Sequence, residues 1–496
     1  MSDGALEEHV MKQYGWLLLL VWGTPSYADI QLPKIIASHM VLQRNSTVTI
    51  WGWATPKERI AVKGDWMDAP VHVRADPEGN WAVRIRTEEA GASHTIIVSG
   101  NNRIALEDIL FGEVWLASGQ SNMEMPLINV SSSYTGILQA DQEVAAARYP
   151  DIRLFQSGNF SSKTPLEDVQ SGILMYGVPL ADCRWQSCTP DTVATFSSTA
   201  YFFARMLHGQ LKVPIGIIDA SWGGTSAEAW TPEAGLKQLG LESYLQQTRE
   251  LPQEPSQKIP TRLFNGMIHP LRDFQIKGVI WYQGEGNVSQ ANQYRALFST
   301  MIRRWRDVFG YEFPFYFVQI APYDYVDRNA AYLREAQLQT LSVSGTGMVV
   351  TMDIGNRTDI HPRNKQEVGR RLALWALAKD YARKVDYSGP LFREAIFDGG
   401  EARVTFDHVG KGLATNDGKS PSDFQIAGQD RVFYPGIAVI EGEEIVVSSG
   451  SVPEPQAVRY GFTSQAMPNL VNRSGLPASP FRSDSWKFLP LSVPKK

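Results

Sequence analysis

Cysteine is scarce in this sequence, since Cys183 and Cys188 are the only two among 496 residues. A framework of several disulfides is therefore excluded. A zinc site of the usual paired-ligand spacing is excluded as well, because no second ligand pair accompanies these two cysteines. In an exported protein they would be able to form a small-loop disulfide. Two buried thiols are the other interpretation, and the sequence leaves both open.

The sequence also lacks a strong excess of either charge and lacks long apolar runs. The 47 Lys and Arg face 52 Asp and Glu, a formal net charge of −5, so nucleic acid is not an expected partner. The one marked apolar run, residues 16–22, is too short to span a bilayer. Small residues follow it up to Ala28, as in a signal peptide. We predict a signal peptide over residues 1–28 and an exported protein, periplasmic or secreted, without a membrane span.

The composition is that of a folded protein, with 43% hydrophobic and 11% aromatic residues, and the length suggests several domains. Residues 29–110 contain short β-branched and aromatic runs between turn signals, which predicts a β-sandwich region. Residues 391–496 show a similar pattern and form a second predicted β region. Whether the two regions form one domain stays open.

Residues 111–390 alternate predicted strands with predicted helices. The strands end near Ser118, Asp219, Tyr282, Ile320 and Met352. The alternation predicts an α/β domain built on a doubly wound parallel sheet. Ligands bind such sheets beyond the carboxyl ends of the strands, so polar residues at those ends are the candidate functional residues.

Four polar motifs follow the predicted strands. They are Gly-Gln-Ser-Asn at 119–122, Ser-Trp-Gly-Gly-Thr at 221–225, Gln-Gly-Glu at 283–285 and Asp-Ile-His-Pro at 359–362. Each motif alone is typical of a turn or a polar loop. Together they contain a hydroxyl, an imidazole, a carboxylate and hydrogen-bond donors, which acyl transfer requires.

We therefore predict that Ser121 attacks an ester carbonyl while His361 takes and returns its proton, with Asp359 holding the imidazole tautomer. Activity is expected to fall as His361 protonates, below about pH 6–7. The predicted oxyanion donors are the N–H groups of Ser121 and of Gly223 or Gly224, together with the Gln283 amide.

The four motifs resemble the signature blocks of the sialate O-acetylesterase family within the SGNH hydrolases. Residues 40–44, 50–54, 334–337 and 475–482 also resemble that family. The resemblance implies a flavodoxin-like, three-layer α/β/α catalytic domain over residues 111–390, flanked by the two β regions. It also implies no metal, no cofactor, and the removal of O-acetyl groups from carbohydrates.

Two departures from the SGNH pattern affect the predicted site. Asp359 lies two residues before His361, whereas many SGNH hydrolases place the aspartate three before. Asp353, Glu285 or a backbone carbonyl are therefore alternatives as the partner of the histidine. Gln283 stands where many SGNH enzymes have asparagine, as is usual in the family that this chain resembles.

The substrate follows less directly from the sequence. We predict an acetylated hemicellulose oligosaccharide, from xylan or xyloglucan, with O-acetylated sialic acid as the alternative. An inactive carbohydrate-binding protein is the alternative from another functional class. Tryptophans and Tyr282 near the motifs are candidate sugar platforms. The predicted substrate-binding residues are Gln120, Asn122, Trp222 and Glu285.

Overall fold

The computed structural model describes residues 29–172, 182–249, 257–326 and 329–486. The predicted signal peptide lies outside these ranges. None of the helices within them combines the length and the apolar character that crossing a membrane requires. Cys183 and Cys188 are buried free thiols, so the disulfide interpretation is wrong.

The N-terminal region is built of strands, as predicted. Alternate residues of its strands are buried, for example in the run from 80 to 86, as expected when one face of a sheet is packed. The strands are β1 (Val41–Gln43), β2 (Thr47–Trp53), β3 (Arg59–Gly64), β4 (Val71–Arg74), β5 (Asn80–Arg86) and β6 (His94–Ser99).

The central region alternates strands and helices. Its elements are β7 (Arg103–Gly119), α1 (Ser121–Glu124), α2 (Ala140–Ala146), β8 (Tyr149–Gln156), β9 (Trp185–Cys188), α3 (Pro190–Val193), α4 (Ser198–Leu211), β10 (Ile215–Ser221), α5 (Glu233–Gln238), α6 (Glu242–Arg249), β11 (Gly278–Tyr282), α7 (Ala291–Phe309), β12 (Phe315–Val318), α8 (Ala331–Gln339), β13 (Thr346–Val349) and α9 (Lys365–Lys379).

Strand β7 joins the two regions. Its first half pairs antiparallel with β6, and its second half pairs parallel with β10 and β11. The predicted boundary between residues 110 and 111 therefore falls inside one continuous strand.

The central sheet has the strand order β13-β12-β11-β7-β10-β8-β9. Strands β8 and β10 to β13 run parallel with the second half of β7, while β9 is antiparallel. The run β10-β7-β11-β12-β13 is the 2-1-3-4-5 order of flavodoxin-like sheets. The order reverses at β7, so the crevice beyond Gly119 is the topological switch point.

Alternate side chains of the central strands enter two different hydrophobic cores. On β11, Val279 and Trp281 join one core, and Ile280 and Tyr282 join the other. Successive side chains of a strand point to opposite faces, so both faces of the sheet are covered. This explains why these strands are apolar throughout rather than alternating, and it confirms a mixed α/β fold with a central sheet.

The C-terminal region has its own hydrophobic core between two four-stranded sheets, β14-β15-β20-β19 and β18-β17-β21-β23. Buried Arg334 ties it to the central region by donating to the carbonyls of Thr463 and Ser464. The strands are β14 (Leu391–Asp398), β15 (Glu401–Asp407), β16 (Leu413–Thr415), β17 (Phe424–Ala427), β18 (Phe433–Pro435), β19 (Ile437–Glu441), β20 (Glu444–Ser448), β21 (Ala457–Tyr460), β22 (Leu470–Asn472) and β23 (Phe481–Arg482).

Candidate active site

Ser121 begins helix α1 immediately beyond the carboxyl end of β7. The turn depends on Gly119, whose φ is +138°. Gly119 also lies against the neighbouring strand, since a Cβ at this position would be 2.2 Å from the carbonyl oxygen of Tyr282. Any residue other than glycine would push the two strands apart. Ser121 is 8% exposed, so the turn that carries it is tightly packed.

Gly223 lies directly beside Ser121. A Cβ at position 223 would be 3.3 Å from Cβ of Ser121, 2.7 Å from the hydroxyl oxygen of Tyr134 and 2.9 Å from Oε2 of Glu124. The first position of the Gly-Gly pair thus requires glycine, because the neighbouring atoms lie too close for a side chain. The structure brings the predicted nucleophile and the predicted glycine loop together.

The Gly223 N–H donates to Oε2 of Glu124 at 2.6 Å. The same carboxylate accepts from the Tyr134 hydroxyl at 2.6 Å and from Nδ2 of Asn159 at 2.7 Å. Burial raises the pKa of Glu124, and these three donors oppose that rise. The predicted oxyanion donor at Gly223 is therefore already engaged.

Gly224 has open space around it. Its φ is +71°, and the nearest atom to a Cβ built there would be Nε2 of Gln257, at 3.8 Å. Among the residues that the structure describes, none accepts a hydrogen bond from the Gly224 or Ser121 N–H. These two groups are the ones free to meet an oxyanion.

His361 and Gly223 share Tyr134 as a neighbour. Its ring packs edge-on against Tyr134, with ring centroids 5.3 Å apart. Its Nε2 is buried and has no partner among the described residues. Burial and then the positive charge of Lys365 lower the pKa of His361 to about 4, against the opposing effects of Asp359 and the Ser133 backbone. The imidazole is thus neutral and able to accept a proton, and the expected loss of activity moves to lower pH than predicted.

Asp359 hydrogen-bonds to the backbone of His361 and lies farther from its ring. Its Oδ1 accepts from the backbone N–H of His361 at 2.9 Å and is 3.9 Å from Nδ1 of the ring. The two-residue spacing explains this, because a carboxylate two residues back reaches the backbone N–H of the histidine in an Asx turn. Asp359 therefore shapes the loop that carries His361.

Asp353, the alternative aspartate, is paired with a different side chain. Both oxygens of Asp353 pair with the guanidinium of Arg371, at 2.7 and 2.6 Å. The sequence also offered a backbone carbonyl as the partner of the histidine. The backbone of Ser133, which favours protonated His361, is a neighbour of this type.

Gln283 is placed differently from its predicted role. The side chain is fully buried, and its Nε2 donates to the carbonyl of Thr225 at 3.2 Å and to Oδ1 of Asn287 at 2.8 Å. Its Oε1 accepts from the Tyr294 hydroxyl at 2.8 Å. Both N–H groups of the amide are thus used, and Gln283 ties the loop after β10 to the loop after β11 instead of facing an oxyanion.

The four predicted substrate-binding residues are buried. The Gln120 Oε1 accepts from the N–H groups of Gly284 and Gly286, and Trp222 is 2% exposed. Trp230 and Trp281 pack edge-on against each other in the core, and Tyr282 is buried too. Aromatic and polar residues in these strand-end motifs thus also pack the turns themselves.

Asn122 and Glu285 belong to a buried bridge. Nδ2 of Asn122 donates to Oε1 of Glu285 at 2.6 Å and to the Ile360 carbonyl at 3.0 Å. Its Oδ1 accepts from Nζ of Lys365 at 2.5 Å. Sequence reasoning missed Lys365, since a lysine at the start of a helix is normally exposed. It also missed Tyr134, Glu124 and Asn159, whose positions gave no signal except that Glu124 adjoins the serine motif.

Comparison with known proteins shows the family of this chain. Residues 112–378 match the family model described as carbohydrate esterase, sialic acid-specific acetylesterase. The sialate O-acetylesterase of Mus musculus is 29% identical over 456 residues, which covers 79% of this chain and 82% of the mouse protein. That of Homo sapiens is 30% identical over 416 residues, covering 76% of each chain.

A solved structure is also similar. The crystal structure of a carbohydrate acetylesterase from Xanthomonas citri is 39% identical, with a TM-score of 0.82. The match covers 92% of this chain and 100% of that one. The family resemblance inferred from the motifs is thereby confirmed.

Proposed function

Because the chain belongs to the carbohydrate esterase family of sialic acid-specific acetylesterases and is thus a carboxylic ester hydrolase, we propose that it deacetylates hemicellulose oligosaccharides through an acetyl-Ser121 intermediate. The observation that carries this proposal is that the Ser121 turn, at the switch point of the sheet, is joined to the His361 loop through Asn122, which donates to the carbonyl of Ile360. Among the described residues, the buried Nε2 of His361 has no partner.

The reaction proceeds in two halves. Ser121 Oγ attacks the acetyl carbonyl carbon, and its proton passes to Nε2 of His361. The N–H groups of Ser121 and Gly224 stabilise the oxyanion. The intermediate collapses as His361 returns the proton to the departing sugar oxygen. A water then attacks the acetyl-enzyme, giving its proton to His361, and acetate leaves as Ser121 is reprotonated.

A neutral substrate fits the charges around the site. Arg334 is buried and donates to backbone carbonyls, so it is not available to a sialic acid carboxylate. Arg363 donates to the carbonyls of Gly136 and Ile137. The side chain beside Gly223 and Ser121 is the carboxyl group of Glu124, which offers no positive charge to an anion.

Phe160 is our candidate sugar platform. It is 38% exposed and directly follows Asn159, whose side chain contacts Glu124 beside Gly223. A flat apolar face at this place would pack against the C–H face of a sugar ring. The aromatics that the sequence indicated are buried, which leaves this role to Phe160.

The second candidate substrate is O-acetylated sialic acid. The mouse and human relatives bear the name sialate O-acetylesterase. Arg357, two residues before Asp359, is exposed, and its Nε donates to the carbonyl of Gln465. Its terminal nitrogens would be able to meet a carboxylate from that side of the site.

The experiment that tests the function measures acetate release from acetylated xylan, acetylated xyloglucan and O-acetylated sialic acid. We expect the hemicelluloses to react fastest. Faster release from sialic acid would favour the second candidate, and no release from any ester would favour a binding protein. Ser121→Ala should lose at least about a thousandfold in kcat on p-nitrophenyl acetate. Faster turnover of octanoyl than of acetyl esters would instead indicate a lipase or thioesterase.

We also propose that the enzyme is exported after removal of residues 1–28. The support is the apolar run over 16–22 followed by small residues up to Ala28. N-terminal sequencing of the mature enzyme from its natural host should begin at or near Asp29. An uncleaved cytoplasmic product would contradict the proposal.

A further inference from the structure

Two opposite charges are buried beside the nucleophile without touching each other. Lys365 is fully buried, and Glu285 is 8% exposed. They meet through Asn122, whose Oδ1 accepts from Lys365 and whose Nδ2 donates to Glu285. The Tyr282 ring packs against the ammonium, with Nζ 5.2 Å from the ring centroid.

This bridge is costly for the fold. Removing two charges from water is expensive, and well-packed apolar side chains in their place are often more stabilising. Oε2 of Glu285 has no partner among the described residues, so the acidic end of the bridge is not even fully hydrogen-bonded. Packing alone does not explain a lysine and a glutamate here.

The position of the bridge points to the reaction. Asn122 follows Ser121 in the chain, and it donates to the carbonyl of Ile360, the residue before His361. One side chain thus ties the backbone of the nucleophile turn to the backbone of the histidine loop. Lys365 begins α9, four residues after His361.

The positive charge of Lys365 also acts on His361. It opposes the protonation of the ring, while Asp359 on the same loop and the Ser133 backbone favour it. The Tyr134 ring packs against the imidazole, and Tyr134 in turn binds Glu124. Burial lowers the pKa of Lys365 to about 7, while Glu285 and Asp359 favour its charged form.

We propose that Lys365, Asn122 and Glu285 form a positioning bridge that fixes the Ser121 turn relative to the His361 loop and extends the enzyme's working range to acidic pH. The proposal rests on the esterase mechanism above. Lys365 contributes by its charge, which makes protonation of His361 before the reaction unfavourable. The same charge helps His361 to release the serine proton to the departing sugar oxygen.

The test of the charge effect is an NMR titration of the histidine C2–H signals in the free enzyme, with the His361 signal assigned by His361→Asn. It needs no substrate, so its result is independent of whether the enzyme is an esterase. In the wild type, His361 should titrate well below the ordinary value of 6.5. Titration of wild-type His361 at that ordinary value would overturn the proposal.

Lys365→Met should raise the pKa of His361 by about one unit or more, because a nearby like charge is removed. The acid limb of the pH dependence of kcat/KM should move by the same amount. Lys379→Met is the matched control, since Lys379 is an exposed lysine on the same helix, and it should move neither. A folded Lys365→Met enzyme with an unmoved His361 titration would overturn the proposal. If that variant does not fold, Lys365→Gln, which keeps a donor for Asn122, takes its place.

The positioning effect is tested with Asn122→Ala. We expect kcat to fall by about a hundredfold, because small displacements of reacting groups cost that much, while KM changes by less than about threefold. A variant that keeps the wild-type kcat would show that the bridge does not position Ser121.

Discussion

The backbone N–H of Gly223 donates to Oε2 of Glu124 over 2.6 Å, so the glycine loop beside the nucleophile is held by a buried carboxylate. Tyr134 and Asn159 complete the set of donors to Glu124. Glu124→Gln would place an N–H group against one of these donors. We expect the free energy of unfolding to fall by about 1–3 kcal/mol and kcat on p-nitrophenyl acetate to fall about tenfold or more.

Urea unfolding and steady-state kinetics measure these two effects. Glu443→Gln, at an exposed position, is the control with the same change of charge. If Glu124→Gln matched the wild type in both stability and kcat, the Glu124–Gly223 hydrogen bond would have no role in holding the loop.

The low pKa of His361 predicts activity that persists into acid. Since the ring is neutral down to its pKa of about 4, kcat/KM should hold as the pH falls below 6 and should decline only near pH 4. In the unfolded chain the same ring binds a proton near the ordinary value of 6.5, so the free energy of unfolding should fall as the pH drops from 6.5 to about 4. A pH profile of p-nitrophenyl acetate hydrolysis checks this, and an acid limb at pH 6–7 would contradict it.

Asp359→Asn should have little effect on the reaction. Asparagine keeps an oxygen for the backbone N–H of His361, and the ring nitrogen lies 3.9 Å from the carboxylate. We expect kcat/KM to change by less than about tenfold, whereas a true triad aspartate costs roughly ten-thousandfold. A loss of a thousandfold or more would show that Asp359 turns to the ring when substrate binds.

Gln283→Ala should affect stability more than catalysis. The substitution leaves the Tyr294 hydroxyl, the Thr225 carbonyl and Oδ1 of Asn287 without this partner. We expect a loss of about 1–3 kcal/mol in the free energy of unfolding, with kcat of the folded enzyme within about tenfold of wild type. Gln339→Ala, at an exposed position on α8, is the control. Unchanged stability with a kcat loss of a hundredfold or more would restore the oxyanion role predicted from sequence.

Phe160→Ala tests the proposed sugar platform. The substitution should raise KM for acetylated xylo-oligosaccharides about tenfold, because an aromatic contact worth about 1–1.5 kcal/mol is lost. Hydrolysis of p-nitrophenyl acetate, which has no sugar ring, should be unchanged. Equal effects on both substrates, or none on the oligosaccharides, would contradict the assignment.

Most of the secondary structure around the site followed from sequence pattern. The predicted alternation is found, and α4 begins after Ser197, whose side chain accepts from the Ala200 N–H as its cap. Helix α9 begins in the same way after Asn364, whose side chain accepts from the Glu367 N–H. These elements were predictable because caps and apolar periodicity are local signals. The domain boundary could not be placed correctly at residue 110 from the sequence, because a strand shared by two sheets has no turn to mark it.

The sequence by itself determined that Ser121, Gly223, Gln283 and His361 follow strands of one parallel sheet, whose carboxyl ends lie at the same edge. The tertiary structure alone decided where the side chains point. Asn122 is bonded to residues more than 160 positions away, as the bond to Glu285 illustrates, and no local pattern encodes such contacts. Burial and long-range partners therefore place Asn122 and Glu285 in the bridge between the Ser121 turn and the His361 loop, and Gln283 between the loops after β10 and β11.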